Sequence, residues 1–260
     1  MIDVKSDIKY GDKAELTLDM YKPTGDIIGT VIDIHGGGWF RGDKKTESDI
    51  GEFLGEKGYL VVAPNYRIGP ENTYPAPLND MDQLVEWLQE QKLADNIAVL
   101  GSSAGGNMSV EMGIKYGFPA ISLSGILDFD EWLQMHQHVV AAQNQTKDLD
   151  VLQKTAGINQ DGANDPFYKW FSLNYLNGDL TLASAATPYH KITETTGPMF
   201  LANSLNEFVP NSGVLKFAER LTQLNVPVTT RFMTGSEHAK GYLESVKPDI
   251  LNFLAENIKK

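Results

Sequence analysis

The chain has 260 residues with 42% hydrophobic content, enough to bury one large core, and no stretch of it reads as an interdomain linker. It carries no cysteine, which excludes disulfides, thiolate metal sites and cysteine nucleophiles. A formal net charge of −12 disfavours nucleic acid and anionic membrane surfaces as partners, because both recruit clustered lysine and arginine.

The first residues, MIDVKSDIKYGDK, mix charged and apolar side chains and show no signal-type apolar core. With no spanning segment either, a cytoplasmic location is expected. Residues 2–10 and 14–22 alternate apolar and polar around Gly11–Asp12, which predicts an antiparallel hairpin at the edge of a sheet. Residues 30–34 (TVIDI) predict a short buried strand that runs directly into His35-Gly36-Gly37-Gly38-Trp39. Consecutive glycines leave backbone N–H groups unshielded, which suits them to a developing negative charge; a plain flexible turn is the alternative. Ile50, Phe53 and Leu54 fall at helical spacing within 46–57, and residues 59–63 (YLVVA) predict the next buried strand. A Pro-rich loop follows over 65–77. Beyond it, Leu78, Met81, Leu84, Val85 and Leu88 form the apolar stripe of a helix over 78–91.

Residues 97–100 are apolar without polar alternation, as expected of a central strand covered on both faces. The run ends at Ser103, with Gly101 and Gly105 two positions to either side. These glycines clear the space where strand and helix nearly touch, so the serine can occupy a sharp turn with its hydroxyl exposed. A helix over 104–116 and a strand over 119–124 continue the α/β rhythm. From about 129 to 185 the rhythm breaks in a segment rich in Gln, Asn, Trp and Tyr, which is expected to be an insertion lying over the sheet edge. Strands over 198–202 and 228–233 and helices over 212–224 and 241–258 complete the pattern. After the final strand, Thr234-Gly235-Ser236-Glu237-His238 puts a histidine in a loop from which it can reach Ser103.

Four motifs, HGGGW at 35–39, YRIGPENTYPAPLND at 66–80, GSSAGGN at 101–107 and the late His238, together resemble the α/β-hydrolase family. Within it the likeness is to the hormone-sensitive-lipase-like and acetyl-esterase carboxylesterases. The resemblance covers about residues 29–125 closely and 185–258 more loosely. It implies a mostly parallel eight-stranded sheet flanked by helices, as a single domain over 1–260 with a cap insertion at about 129–185. It also implies a serine carboxylesterase acting on small short-acyl esters, acetyl to butyryl, without a cofactor or metal. Ser103 would be the nucleophile and His238 the base. Gly37, Gly38 and Ala104 would supply the oxyanion N–H groups.

The acid is where the chain departs from this pattern. Such esterases generally carry aspartate where this chain has Asn206, in Asn206-Glu207-Phe208-Val209-Pro210. An asparagine orients a ring but brings no negative charge. Glu207, one residue along and one methylene longer, is the preferred acid; Asp128, after the preceding strand, and Asn206 itself are the alternatives. The N-terminal cap of many lipase-like relatives has no counterpart before HGGGW, so the insertion is left to cover the acyl pocket.

His136 and His138 lie two apart, on different faces of a helix, and no third metal ligand is evident. His190 is expected to pack where the chain returns from the insertion. Trp39, Trp132, Trp170 and Tyr168 either line a pocket or hold the insertion down. No phosphate-binding or dinucleotide fingerprint occurs. Two rivals stand beside the esterase reading: a catalytically weakened or inactive hydrolase-fold binding protein, suggested by Asn206, and a peptidase of the same fold, which would need a larger cap. The expected partner is a small ester, and an exposed edge strand or terminal helix offers a surface for a homo-oligomer.

Overall fold

Eight strands form one sheet in the order β1-β2-β4-β3-β5-β6-β7-β8 in the computed structural model, which describes residues 1–143, 164–207 and 209–258. They are β1 (Ile2–Lys9), β2 (Thr17–Pro23), β3 (Thr30–Ile34), β4 (Leu60–Pro64), β5 (Ile97–Ser102), β6 (Ala120–Leu123), β7 (Met199–Ser204) and β8 (Val228–Met233). β1 pairs antiparallel with β2, and β2 with β4. Every pairing from β4 through β8 is parallel.

Strands β3 to β7 are buried at every position, which is why they read as apolar runs. Their side chains still alternate between two layers. Val31, Val61, Ala98, Leu100 and Ile121 face a core closed by α1 (Ser48–Glu56) and α8 (Leu243–Asn257), through Ile50, Leu54, Val246, Ile250 and Leu254. Ile32, Ile34, Val62 and Val99 face the opposite layer, closed by α2 (Ala76–Glu90) and α3 (Ala104–Tyr116) through Met81, Leu84, Leu88 and Met108. α7 (Asn211–Gln223) covers the β6–β7 region with Val214, Phe217 and Leu221. The chain runs outward from β3 to β4 and then crosses back to β5. The C-terminal ends of β3 and β5 therefore flank the point where the winding reverses, the place where open α/β sheets leave a crevice.

Boundaries differ from the sequence expectations where local chemistry intervenes. The helix expected over 46–57 is divided into a 3-10 turn, Lys44–Glu47, capped by the Asp43 side chain on the Lys45 N–H, and α1. α2 starts at Ala76, earlier than its apolar stripe, because Pro77 is tolerated in a first turn whose N–H groups need no partner.

The insertion contributes α4 (Phe129–Met135), α5 (Asp165–Tyr175) and α6 (Ala183–Ala186), while residues 144–163 of it lie outside the described residues. Its described parts rest on the turn after β3, a central strand, and not along the sheet edge as the sequence suggested. Trp39 is buried there, stacked on Tyr175 at 3.9 Å with Phe129 edge-on at 6.4 Å. Three rings of the insertion, Tyr175, Phe129 and Phe171, thus hold it down on the Trp39 side chain of this turn.

Candidate active site

Ser103 joins β5 to α3 with φ 55° and ψ −115°, a conformation that costs a non-glycine residue about 1–3 kcal/mol and persists only where the surroundings enforce it. The enforcement is visible. Its N–H donates to Leu123 O at 2.8 Å, and its carbonyl accepts the Asn107 N–H at 3.0 Å. A Cβ on Gly101 would lie 2.1 Å from Gly105 O, and one on Gly105 would lie 2.0 Å from Ile34 O. Only glycine fits at both positions. Ala104 opens α3, so its N–H belongs to the first-turn donors that an α-helix leaves unused.

The His35–Trp39 turn lies against this elbow: a Cβ on Gly36 would sit 2.9 Å from Ser102 O and 3.4 Å from Ser103 Cβ. Gly37 and Gly38 have φ of +121° and +61°, and Gly37 O accepts the N–H groups of Phe40 (3.3 Å) and Arg41 (3.2 Å). His35 is a post beneath the turn. Its ring stacks on Tyr66 at 4.2 Å, its Nδ1 donates to Gly36 O at 2.7 Å, and the Tyr66 hydroxyl donates to His35 O at 3.0 Å. Burial lowers its pKa to about 4, so the ring is neutral at pH 7.

The loop carrying the Tyr-Arg motif braces the same region. Arg67 donates to Asp80 from its backbone N–H (2.8 Å) and its Nε (2.7 Å), while Gly69 N–H reaches Trp39 O at 2.7 Å. Tyr74 binds the insertion through its hydroxyl to Ala185 O at 2.8 Å.

His238 enters from the loop after β8 with its Nδ1 2.7 Å from Glu207 Oε2. A carboxylate oxygen only accepts, so Nδ1 is the donor, which in a neutral ring makes Nε2 the acceptor. Glu207 is wholly buried, and its other oxygen, Oε1, accepts the Ser204 N–H at 2.8 Å and the Ser124 hydroxyl at 2.9 Å. Of the three candidate acids, this is the one that meets the histidine. Asn206 is exposed and gives its backbone N–H to Gly235 O at 2.9 Å. Asp128 accepts from Lys216 Nζ at 2.7 Å and from the Glu131 N–H at 3.5 Å, capping α4. Asp128 as an alternative acid is thus corrected: a lysine neutralises it. Ser103, Glu207 and His238 all follow the C-terminal ends of parallel strands, β5, β7 and β8, so the sheet delivers them to one edge.

Other sequence candidates fall elsewhere. His136 stacks on Trp132 at 4.2 Å with its Nδ1 2.8 Å from Trp132 O. No group of three or more metal-ligating side chains exists among the described residues. His190 is not packed as expected: it is half-exposed, 3.2 Å from Asp130. Ser124 and Tyr242, which contact the Glu207 neighbourhood, were passed over in the sequence. The only signal for Ser124 was its position at the end of a parallel strand, where site residues gather.

The BD-FAE family model matches residues 18–221, most of the chain. The protein belongs to the BD-FAE family. Stretches of this BD-FAE chain are also similar to curated proteins. One is the probable carboxylic ester hydrolase LipM of Mycobacterium tuberculosis, 34% identical over 114 residues, or 40% of this chain and 26% of that one. Another is the kynurenine formamidase of Meyerozyma guilliermondii, 28% identical over 137 residues, or 46% of this chain and 52% of that one. The chain thus spans about a quarter to a half of the length of these curated relatives.

Among solved structures, a truncated carbohydrate esterase from gut microbiota matches with a TM-score of 0.77 at 15% identity, covering 99% of this chain and 97% of that one. A thermostable esterase from Pseudomonas putida matches with a TM-score of 0.70 at 21% identity, covering 100% and 84%. At such identities the likeness shows the fold, which is that of the α/β-hydrolases. Among the described residues, no helix is long and apolar enough to cross a membrane.

Proposed function

We propose that this BD-FAE protein is a serine carboxylic ester hydrolase that forms an acyl-enzyme on Ser103. The observation that carries the proposal is the 2.7 Å contact of His238 Nδ1 with a buried Glu207, at the same sheet edge as a serine held in a strained elbow. Ser103 Oγ attacks the ester carbonyl carbon while His238 Nε2 takes the hydroxyl proton. The carbonyl oxygen becomes an oxyanion, and Gly37, Gly38 and Ala104 offer N–H groups to it. When the tetrahedral species collapses, His238 returns the proton to the departing alcohol. Water, deprotonated by the same nitrogen, then releases the acid and restores Ser103.

Glu207 holds the ring in the productive tautomer and balances the imidazolium charge. Its buried contact to His238 supports a catalytic role over the non-catalytic alternative that Asn206 suggests.

The substrate class is small esters with a short acyl group, acetyl to butyryl. This class follows from the likeness of the HGGGW and GSSAGGN motifs to those of short-acyl esterases. The same proposal takes the enzyme to be cytoplasmic and free of cofactors, in keeping with a chain that has no cysteine.

The test is hydrolysis of p-nitrophenyl acetate and longer acyl homologues by the purified protein and by Ser103→Ala, with folding of both compared by circular dichroism. Turnover that disappears in the alanine variant and declines beyond butyrate is expected. Equal background rates in the two proteins would overturn the assignment.

A further inference from the structure

Ser124 follows β6 in the left-handed region, with φ 56°, although it precedes a glycine that could take such a conformation without strain. Its hydroxyl, fully buried, accounts for a serine being held there. Ser124 Oγ donates to Glu207 Oε1 at 2.9 Å, accepts the N–H of Ala239 at 2.8 Å and lies 2.7 Å from the Tyr242 hydroxyl. Tyr242 in turn reaches Ala202 O, in β7, at 2.6 Å. Ala239 is the residue after His238, so one oxygen atom ties the acid's carboxylate to the backbone of the histidine's loop. The preceding residue, Leu123, accepts the Ser103 N–H at 2.8 Å. Two consecutive residues at the end of β6 therefore touch the loops of all three residues of the proposed triad.

We propose that Ser124 is a positioning residue that fixes the Glu207–His238 pair, with Tyr242 holding its hydroxyl in place whenever the single phenolic proton is given to Ser124 Oγ and not to Ala202 O. The inference rests on the triad assigned above. Ser124 itself does not meet the ester. It acts by leaving Glu207 Oε1 no freedom to rotate away, which keeps Oε2 on His238 Nδ1, and by anchoring the backbone from which His238 projects.

Ser124→Gly is the informative variant, because it removes the hydroxyl while relieving the backbone strain. With p-nitrophenyl acetate, kcat is expected to fall by about tenfold or more with KM changed by less than about twofold, the size usual for loss of an orienting partner. In a Glu207→Gln background the same substitution is expected to cost almost nothing further, since its effect passes through the carboxylate. A similar fold-loss in both backgrounds, or an unchanged kcat, would overturn the proposal.

A second measurement does not depend on turnover. The low-field proton NMR resonance of the His238 Nδ1–H is expected in the parent protein, absent in Glu207→Gln and shifted upfield or broadened in Ser124→Gly, with Tyr242→Phe intermediate. An unaltered resonance in Ser124→Gly would refute the positioning role even if the protein hydrolysed no ester, whereas Ser103→Ala reports separately on the esterase assignment.

Discussion

His238 Nδ1 lies 2.7 Å from Glu207 Oε2, while Asn206, the residue where relatives of this type are expected to carry their acid, is exposed with its backbone N–H on Gly235. A one-residue displacement along the loop after β7 is absorbed by the longer glutamate side chain. Glu207→Gln is therefore expected to lower kcat by about 10³–10⁴, the scale known for neutralising a triad acid in a serine protease, with a KM near that of the parent. Asn206→Asp is expected to change kcat by less than about threefold, as is usual for surface substitutions away from such a pair. Steady-state kinetics on a p-nitrophenyl ester checks both. A large gain in Asn206→Asp would mean that position 206 governs the histidine after all.

Gly37 combines φ +121° with a space in which a Cβ would lie 2.0 Å from Arg41 O. Gly37→Ala must then move the turn proposed to offer N–H groups to the oxyanion. Loss of one well-placed oxyanion donor costs about 10²–10³ in turnover, and that range is expected here in kcat with circular dichroism close to the parent's. An unchanged kcat would remove Gly37 from the oxyanion site.

Asp128 is paired with Lys216 and not with His238. Its side chain is 1% exposed whereas that of Lys216 is 32% exposed, so removing the lysine strands a buried acid while removing the acid leaves a cation that keeps Glu131 at 2.7 Å and reaches water. Lys216→Met is expected to destabilise by about 1–3 kcal/mol and Asp128→Asn by less, measured by urea denaturation. Neither substitution is expected to shift kcat by more than about threefold, which is the size of effect reserved for groups outside the reacting geometry.

Glu111, buried on α3 beside Lys191, has its pKa pushed up from 4.5 to about 7 by burial. Between those values the folded state binds a proton that the unfolded state has released, so Glu111 adds stability as pH falls from about 7 to 4.5. His35 works the other way. Burial lowers it from 6.5 to about 4, so the unfolded chain takes up the proton first and stability drops as pH falls through that window. In Glu111→Gln the first contribution is gone and the second remains. The melting temperature of this variant is expected to fall more steeply than the parent's on acidification from pH 7 to 4.5 in calorimetry; parallel curves would refute the assignment.

Much of the fold could be read from residue order because its signals are local. Buried parallel strands show as apolar runs at 30–34, 59–63 and 97–100, and the glycines around Ser103 are dictated by steric clearances of about two ångströms that no other residue satisfies. The His35–Trp39 turn and the loop carrying His238 were legible for the same reason: each is a short motif attached to the end of a strand. The insertion was legible only as a break in the rhythm. What it rests on, the Trp39 turn, depends on aromatic pairs such as Trp39–Tyr175 that lie far apart in the chain.

The acid marks the limit between the two kinds of information. Sequence, through its resemblance to serine esterases, offered Asn206, Glu207 and Asp128 as candidates for a triad acid. It favoured Glu207 for its length but left Asn206 and Asp128 open, since a loop's side-chain directions are set by backbone torsions and by contacts from other elements. Tertiary structure decided which of them meets His238, by engaging Asp128 with a lysine from α7 and by closing Glu207 between the Ser204 N–H, the Ser124 hydroxyl and His238. Those partners come from four separate segments of the chain. No local pattern encodes their meeting, because it exists only once the parallel strands are laid side by side.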